Sequence, residues 1–477
     1  MSDIRYVCLS DLHLGAENSL LTRLTPKTSD GKPSRADPLK PNDVMIGFAA
    51  CLRTLISKNT GAKKPTLVLN GDVLELALAD INVAAMVFER FMELTMKPGE
   101  EIFDNTIYYN PGNHDHHIWE TARETQYIDG YLTGTKWGTQ LDPPWHTTKM
   151  FLGDYDPVPC YLLNQLVKRF AGTKPDFQVV YPNLGVRSAD GNKCVIFSHG
   201  HYIESIYRLM TGLRSSLFPD RVEPALIWEL EAENFAWVDF FWSTLGRSGD
   251  FGTDVELIYD KLQSSVELKA MVANLAKRIV KTHSLRWVPQ AVEHMVTTAL
   301  LDLLVSSIAH REVLHPGGVL SPDAESGLQQ FIEQYLLQQI LADNNKVVPS
   351  DLTFIFGHTH KPFEQARRYA GYKGNMNVIN DGGWVVDSMD PAPVKGAAIV
   401  VVDDDLNTAS VRLYNEAGSD SEMPPAPHVS EALDNPLTQR LKSIISNGAP
   451  WSDLSRAIFT EVPLQRANLA AKIQEQC

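Results

Sequence analysis

The sequence predicts an α/β protein, and two observations carry the prediction. Short apolar runs rich in Val, Ile, Leu and Tyr stop five times at a cluster of Gly, Asp, Asn or His, as strands do where they leave a sheet. Between and after these runs lie segments whose apolar residues recur at helical spacing. A chain of 477 residues is long enough for two or three domains, or for one large core carrying insertions.

In chain order the runs are IRYVCLS before DLHLG, PTLVLN before GDVLEL, NTIYYNP before GNHD, KCVIFS before HGH, and DLTFIF before GHTH. Unbroken apolar runs of this length suit strands covered on both faces. In open α/β sheets, ligands bind in the crevice beyond the carboxyl ends of such strands, so the five polar clusters are expected to converge. Each cluster alone has a plain explanation: Asp11 and Asp115 as helix caps, Gly-Asp and Asn-Gly as turns, a lone histidine as a satisfied core or surface residue. Together they offer carboxylate, amide and imidazole donors without a lysine or arginine among them, which turn chemistry does not predict. Such donors suit Mn, Fe, Co or Zn, and the absence of thiolate argues against a closed structural zinc site. There are more donors than one ion needs, and a single carboxylate can bridge a pair of ions.

The series D-x-H, G-D-x-x-E, G-N-H-D, H-G-H and G-H-T-H resembles the calcineurin-like metallophosphoesterase superfamily, as does the later stretch NVINDGGWVVD. The resemblance implies a two-sheet β-sandwich flanked by helices. It implies two divalent or trivalent transition-metal ions, with Mn first in order and Fe, Zn or Co as alternatives. Asp11, His13 and His360 would hold the first ion, Asn113, His199 and His358 the second, and Asp72 would bridge them. The implied reaction is hydrolysis of a phosphodiester, pyrophosphate or phosphomonoester by a metal-bridging hydroxide. His114 would stabilise the transition state and protonate the leaving oxygen, with Asp115 capping a helix or orienting His114. The sequence departs from the commonest family pattern at Glu75, where a shorter aspartate is usual. Glu75, His117, His201 and Lys361 lie beside motif residues and are candidates for contact with substrate or with the ligands; His116 shares that position.

Around this core, residues 202–350 read as a helical, cap-like insertion that interrupts a sandwich core of residues 1–201 and 351–415. Apolar positions from Val255 to Val266, from Val272 to Ile279 and from Val292 to Leu304 keep helical spacing, and Ser321-Pro322-Asp323 reads as a capped helix start. Its segment IWELEAENFAWVDFFW holds six aromatics. These are read as core, or else as an apolar wall for substrate or a subunit contact in a homo-oligomer. Residues 202–350 carry 12 Lys and Arg against 19 Asp and Glu, a net of −7 within a chain of −15. Acidity of this kind repels nucleic acid, so the expected partner is a small, nucleotide-like phosphorylated substrate; a nuclease and a non-catalytic metal-binding scaffold are the alternatives.

The loop from Gly15 to Asp43 follows the first ligands directly and has the length of a lid. Residues from about 416 read as a linker followed by helical patterns at 431–446 and 452–474. The five cysteines form no CxxC pair, so neither a disulfide framework nor a thiolate site is expected. No apolar run is long enough to span a membrane and no signal-peptide pattern follows Met1, which suggests a cytoplasmic protein.

Overall fold

All five apolar runs form strands whose buried side chains face either a second sheet or a layer of helices. A computed structural model describes residues 2–27, 32–155, 158–169, 175–218, 220–244 and 318–475. The strands are β1 (Ile4–Leu9), β2 (Thr66–Leu69), β3 (Thr106–Tyr109), β4 (Val158–Pro159), β5 (Asp176–Val179), β6 (Asn183–Arg187), β7 (Lys193–Ser198), β8 (Asp351–Phe356), β9 (Phe363–Arg368), β10 (Asn375–Asn380), β11 (Gly396–Asp403), β12 (Thr408–Asn415) and β13 (His428–Val429). They build one sheet in the order β13-β12-β11-β1-β2-β3-β5-β4 and another in the order β6-β7-β8-β10-β9. The centre of each sheet is parallel: β1, β2, β3 and β5 run together in the first, and β7, β8 and β10 in the second. Antiparallel strands close the edges, so both sheets are mixed.

Three apolar layers follow from this stacking. Between the sheets lie Cys8, Val68, Val195, Phe197, Ile355, Ile379, Val400 and Val402. On the outer face of the first sheet, Val7, Leu67, Leu69 and Ile107 meet α1 (Asp43–Ile56), α2 (Ile81–Thr95) and α3 (His117–Gln126). On the outer face of the second, Ile196, Phe354, Phe356 and Val378 meet helical residues between β7 and β8. Burying one such side chain contributes about 1.5–3 kcal/mol, so sliding one sheet over the other, which would pull the strand ends apart, is strongly opposed.

The described residues between β7 and β8 are helical: α4 (Leu209–Leu217), α5 (Ile227–Asp239) and α6 (Pro322–Gln330), the last continuing as a π-helical turn over Phe331–Leu336 and then through Leu337–Asp343. Ser321 caps α6 by accepting the Ala324 N–H at 3.2 Å, with Pro322 in the first turn. The helical patterns between Val255 and Leu304 lie outside the described residues. Within the aromatic segment, Trp242 is fully buried and Trp237 donates to the Ile206 carbonyl, whereas Trp228 and Phe240 are exposed.

The residues after β12 return to the body. His428–Val429 pairs with β12, and a long helix, α7 (Trp451–Glu475), packs Trp451, Leu454 and Ile458 into the core against α1. Along α7, Gln465 donates to the carbonyls of Ser19 and Thr22, Asn468 pairs twice with the Ser34 backbone, and Lys472 meets Glu17. The long loop after the first strand is thus held down by a helix from the other end of the sequence.

Candidate metal centre

Five loops meet at the carboxyl ends of the parallel strands. Asp11 and His13 follow β1, Asp72 follows β2, Asn113 and His114 follow β3, His199 follows β7, and His358 and His360 follow β8. Backbone hydrogen bonds stitch neighbouring loops together, from the Asp11 N–H to the Gly71 carbonyl, from His13 to Asp72 and from Gly357 to His199.

The backbone bends sharply at these residues. Of the eight described non-glycine residues with positive φ, five are Asp11 (49°), His13 (44°), Asp72 (50°), His358 (69°) and His360 (57°). Left-handed backbone is disfavoured for any residue with a Cβ and costs of order 1 kcal/mol each, so its concentration here marks a site where side-chain placement overrides local preference. The motif glycines are fixed by crowding: a Cβ on Gly71 would overlap the His199 ring, and one on Gly357 would overlap the Asp11 carboxylate.

Among the described residues, three groups of side chains offer converging donor atoms: two are Asp11, His13 and His360, and Asp72, His199 and His358, and the third, His13, Glu75 and His114, overlaps the first at His13. In the first, His360 Nε2 lies 3.3 Å from both Asp11 Oδ1 and His13 Nε2. In the second, His199 Nε2 lies 3.2 Å from Asp72 Oδ2 and 3.0 Å from Asn113 Oδ1. Asp72 Oδ2 also stands 3.9 Å from His13 Nε2, which places that oxygen between the groups.

The remote nitrogen of every histidine in the first two groups is already engaged. His13 Nδ1 lies 2.9 Å from Glu75, His360 Nδ1 2.9 Å from Asp387, His358 Nε2 2.6 Å from Glu204, and His199 Nδ1 3.3 Å from the Asn70 carbonyl. This is the arrangement of metal-binding imidazoles: a carboxylate or carbonyl takes the far N–H, and the near nitrogen keeps its lone pair for the ion. The residues therefore fit a pair of ions by donor chemistry, by burial and by the partners held at their far nitrogens.

His114 and Asp115 divide differently from the sequence expectation. The His114 ring places Nδ1 2.8 Å from Glu75 Oε1, and its edge meets the His13 ring. Glu75, the residue that departs from the common pattern, thus spans two imidazoles, which its extra methylene allows. Asp115 neither touches the His114 ring nor caps a helix through its side chain. Its fully buried carboxylate accepts the N–H groups of Val73 at 2.8 Å and Gly112 at 2.6 Å and the Tyr109 hydroxyl, so it shapes the loop that carries Asp72.

Four neighbouring candidates lie outside all three groups. His116 is buried with Nε2 2.9 Å from Glu231, and His117 places Nδ1 3.2 Å from Asp239, both acids belonging to α5. His201 lies tilted beside His199, with its Nε2 3.4 Å from the Tyr181 hydroxyl. Lys361 follows His360 and is fully buried. Residues that sequence reasoning missed complete the surround: Glu204, Asp387, and Tyr207, whose hydroxyl accepts from Asn113 Nδ2 at 3.2 Å. Only Asp387 had a signal, as the last residue of the NVINDGGWVVD stretch.

The charge balance follows from burial opposed by pairing. Burial favours the neutral form of Asp72, yet the imidazoles of His199, His114 and His13 hold its carboxyl well below the usual range. Glu75 is likewise drawn down, to about 2, by His114 and His13 against its burial. Burial lowers His199 and His360, but Asp72 raises the first to about 9, and Asp11 and Asp387 raise the second to about 10. His358 is the reverse case, its burial outweighing Glu204, and it stays below the ordinary histidine value.

Compared with known families, residues 4–243 match a family model described as calcineurin-like phosphoesterase. The match contains the first four polar clusters and ends before His358 and His360, which the chain supplies from beyond it. Among curated proteins, none matches the chain. No helix among the described residues is long and apolar enough to cross a membrane.

Proposed function

The chain belongs to the calcineurin-like phosphoesterase family, and from that premise we propose that it hydrolyses a phosphodiester, pyrophosphate or phosphomonoester bond in a small, nucleotide-like substrate. One observation carries the reading: two donor groups that share a flank at Asp72, with every histidine's remote nitrogen taken. In this reading Asp11, His13 and His360 hold a first ion, Asn113, His199 and His358 a second, and Asp72 reaches both. Oxygen and nitrogen donors without thiolate favour Mn, with Fe, Zn or Co as alternatives. Such ions supply an activated water and neutralise charge on phosphoryl oxygens.

The remaining steps belong to the chain. Glu75 accepts the N–H at His114 Nδ1, and in the imidazolium form of His114 the second N–H, directed away from Glu75, passes its proton to the leaving oxygen and leaves a neutral ring. Asp115 keeps the loop of Asp72 rigid, so the flank common to both groups does not drift as charge develops. Residues 202–350, whose described parts are helical, act as a cap-like insertion that shapes access, and their net charge of −7 disfavours a polyanion. Among the described aromatic side chains of that segment, Trp228 and Phe240 are exposed and available to an apolar part of a substrate. The four described cysteines are free and buried, in keeping with a cytoplasmic protein.

Metal analysis combined with a hydrolysis screen over monoesters, diesters, pyrophosphates and nucleic acids tests the proposal. Two ions per chain and turnover that chelation abolishes are expected. A preference for DNA or RNA would replace it with a nuclease, and bound ions without turnover on any class would leave a scaffold.

A further inference from the structure

The two candidate ion sites are held by different parts of the chain. The outer partners of the first site's histidines are Glu75, just after β2, and Asp387, after β10. For the second site the chain leaving β7 supplies two partners within four residues. Glu204 Oε1 lies 2.6 Å from His358 Nε2, which fixes the tautomer that leaves Nδ1 for an ion. The Tyr207 hydroxyl accepts from Asn113 Nδ2, which turns Oδ1 towards His199.

This short segment is itself gripped by the chain as it returns. The Ser205 N–H donates to the Asp323 carboxylate at 3.0 Å, and Arg208 bonds Gln330, so both ends of α6 hold it. Between them Gly327 lies flush on the Ile203 carbonyl, where a Cβ would overlap the oxygen. On the other side Trp242 packs its ring 4.8 Å from that of Tyr207. None of these contacts reaches Asp11, His13 or His360.

We propose that Glu204 and Tyr207 are positioning residues that link the affinity of the second ion, and not of the first, to the seating of α6 on the segment Ile203–Arg208. The inference rests on the two-ion reading above and assigns the inserted helices a regulatory role in it: displacement of α6 loosens one ion and leaves the other.

The test titrates the metal-free, full-length chain with Mn2+ and follows bound and free ion by electron paramagnetic resonance and calorimetry. His13→Ala and His199→Ala identify which binding step belongs to which site. Tyr207→Phe, Glu204→Gln and Gly327→Ala should each weaken the second site by about 10–100-fold, the usual effect of losing an outer partner, and change the first by less than about threefold. Equal weakening of both sites, or no change at either, overturns the inference. Because Gly327→Ala risks misfolding, circular dichroism of the metal-free variants accompanies the titrations, and the two conservative side-chain variants decide the matter if it does. If the unmodified chain binds fewer than two ions, the two-ion reading fails and the inference falls with it.

Discussion

Replacing Glu75 with glutamine should disable the first ion site by changing a tautomer. Oε1 of Glu75 lies 2.8 Å from His114 Nδ1 and accepts the N–H groups of Ala77 at 3.0 Å and Leu78 at 2.9 Å, while Oε2 lies 2.9 Å from His13 Nδ1. A glutamine oxygen would take the position with three donors, since the opposite choice sets an amide NH2 against all of them. The NH2 would then face His13 Nδ1, which must become an acceptor, and the His13 proton moves to Nε2, the atom facing His360 and Asp11. A protonated Nε2 cannot bind an ion. The lost charged hydrogen bond is worth about 1.5–3 kcal/mol, so the first site should weaken by roughly 10–150-fold while the second changes little. Mn2+ titration of the Glu75→Gln chain reads this directly. Unaltered occupancy of the first site, or greater loss at the second, would refute the tautomer argument.

Three further outcomes are expected. Asp72→Asn should lower metal content at both sites together, measured by elemental analysis, and two retained ions with full turnover would contradict the shared role of Asp72. His114→Ala should keep its ions but lose kcat by ~10²–10⁴, most for substrates with poor leaving groups; loss of metal instead would make His114 a ligand. Ion uptake should release protons, because His199 and His360 stay protonated up to about pH 9 and 10 in the metal-free chain and must lose that proton to bind. Apparent affinity should therefore rise with pH across 6 to 8, by up to about tenfold per unit for each proton released. Calorimetry in buffers of different ionisation enthalpy checks this, and an affinity independent of pH counts against imidazole ligands.

The strands and their terminal clusters were legible because each is apolar and stops abruptly, and β7 and β8, buried along nearly their whole length, show this most plainly. The division of the strands between two sheets came from the family resemblance, since burial on both faces is the same whether the neighbour is a helix or another sheet. β11 is as apolar as any of the five, but it ends in Asp403 and Asp404 rather than at the centre, so it drew no notice. Glu204 and Tyr207 could not be read at all. Single polar residues in a helical stretch acquire meaning only when folding sets them against His358 and Asn113. For His116 and His117 the opposite holds, their place beside the motif saying nothing about the acids of α5 that receive them.

The nitrogens of His13 and His360 that face one another come from residues 347 positions apart. During synthesis, Asp11, His13, Asp72, Asn113 and His199 leave the ribosome well before the last two histidines exist. An ion captured early meets an incomplete set of donors, and the full complement assembles only after β8 has paired between β7 and β10. Tight metal retention is then a property of finished molecules, and nascent chains arrested before β8 should release their ions to a mild chelator that completed protein withstands.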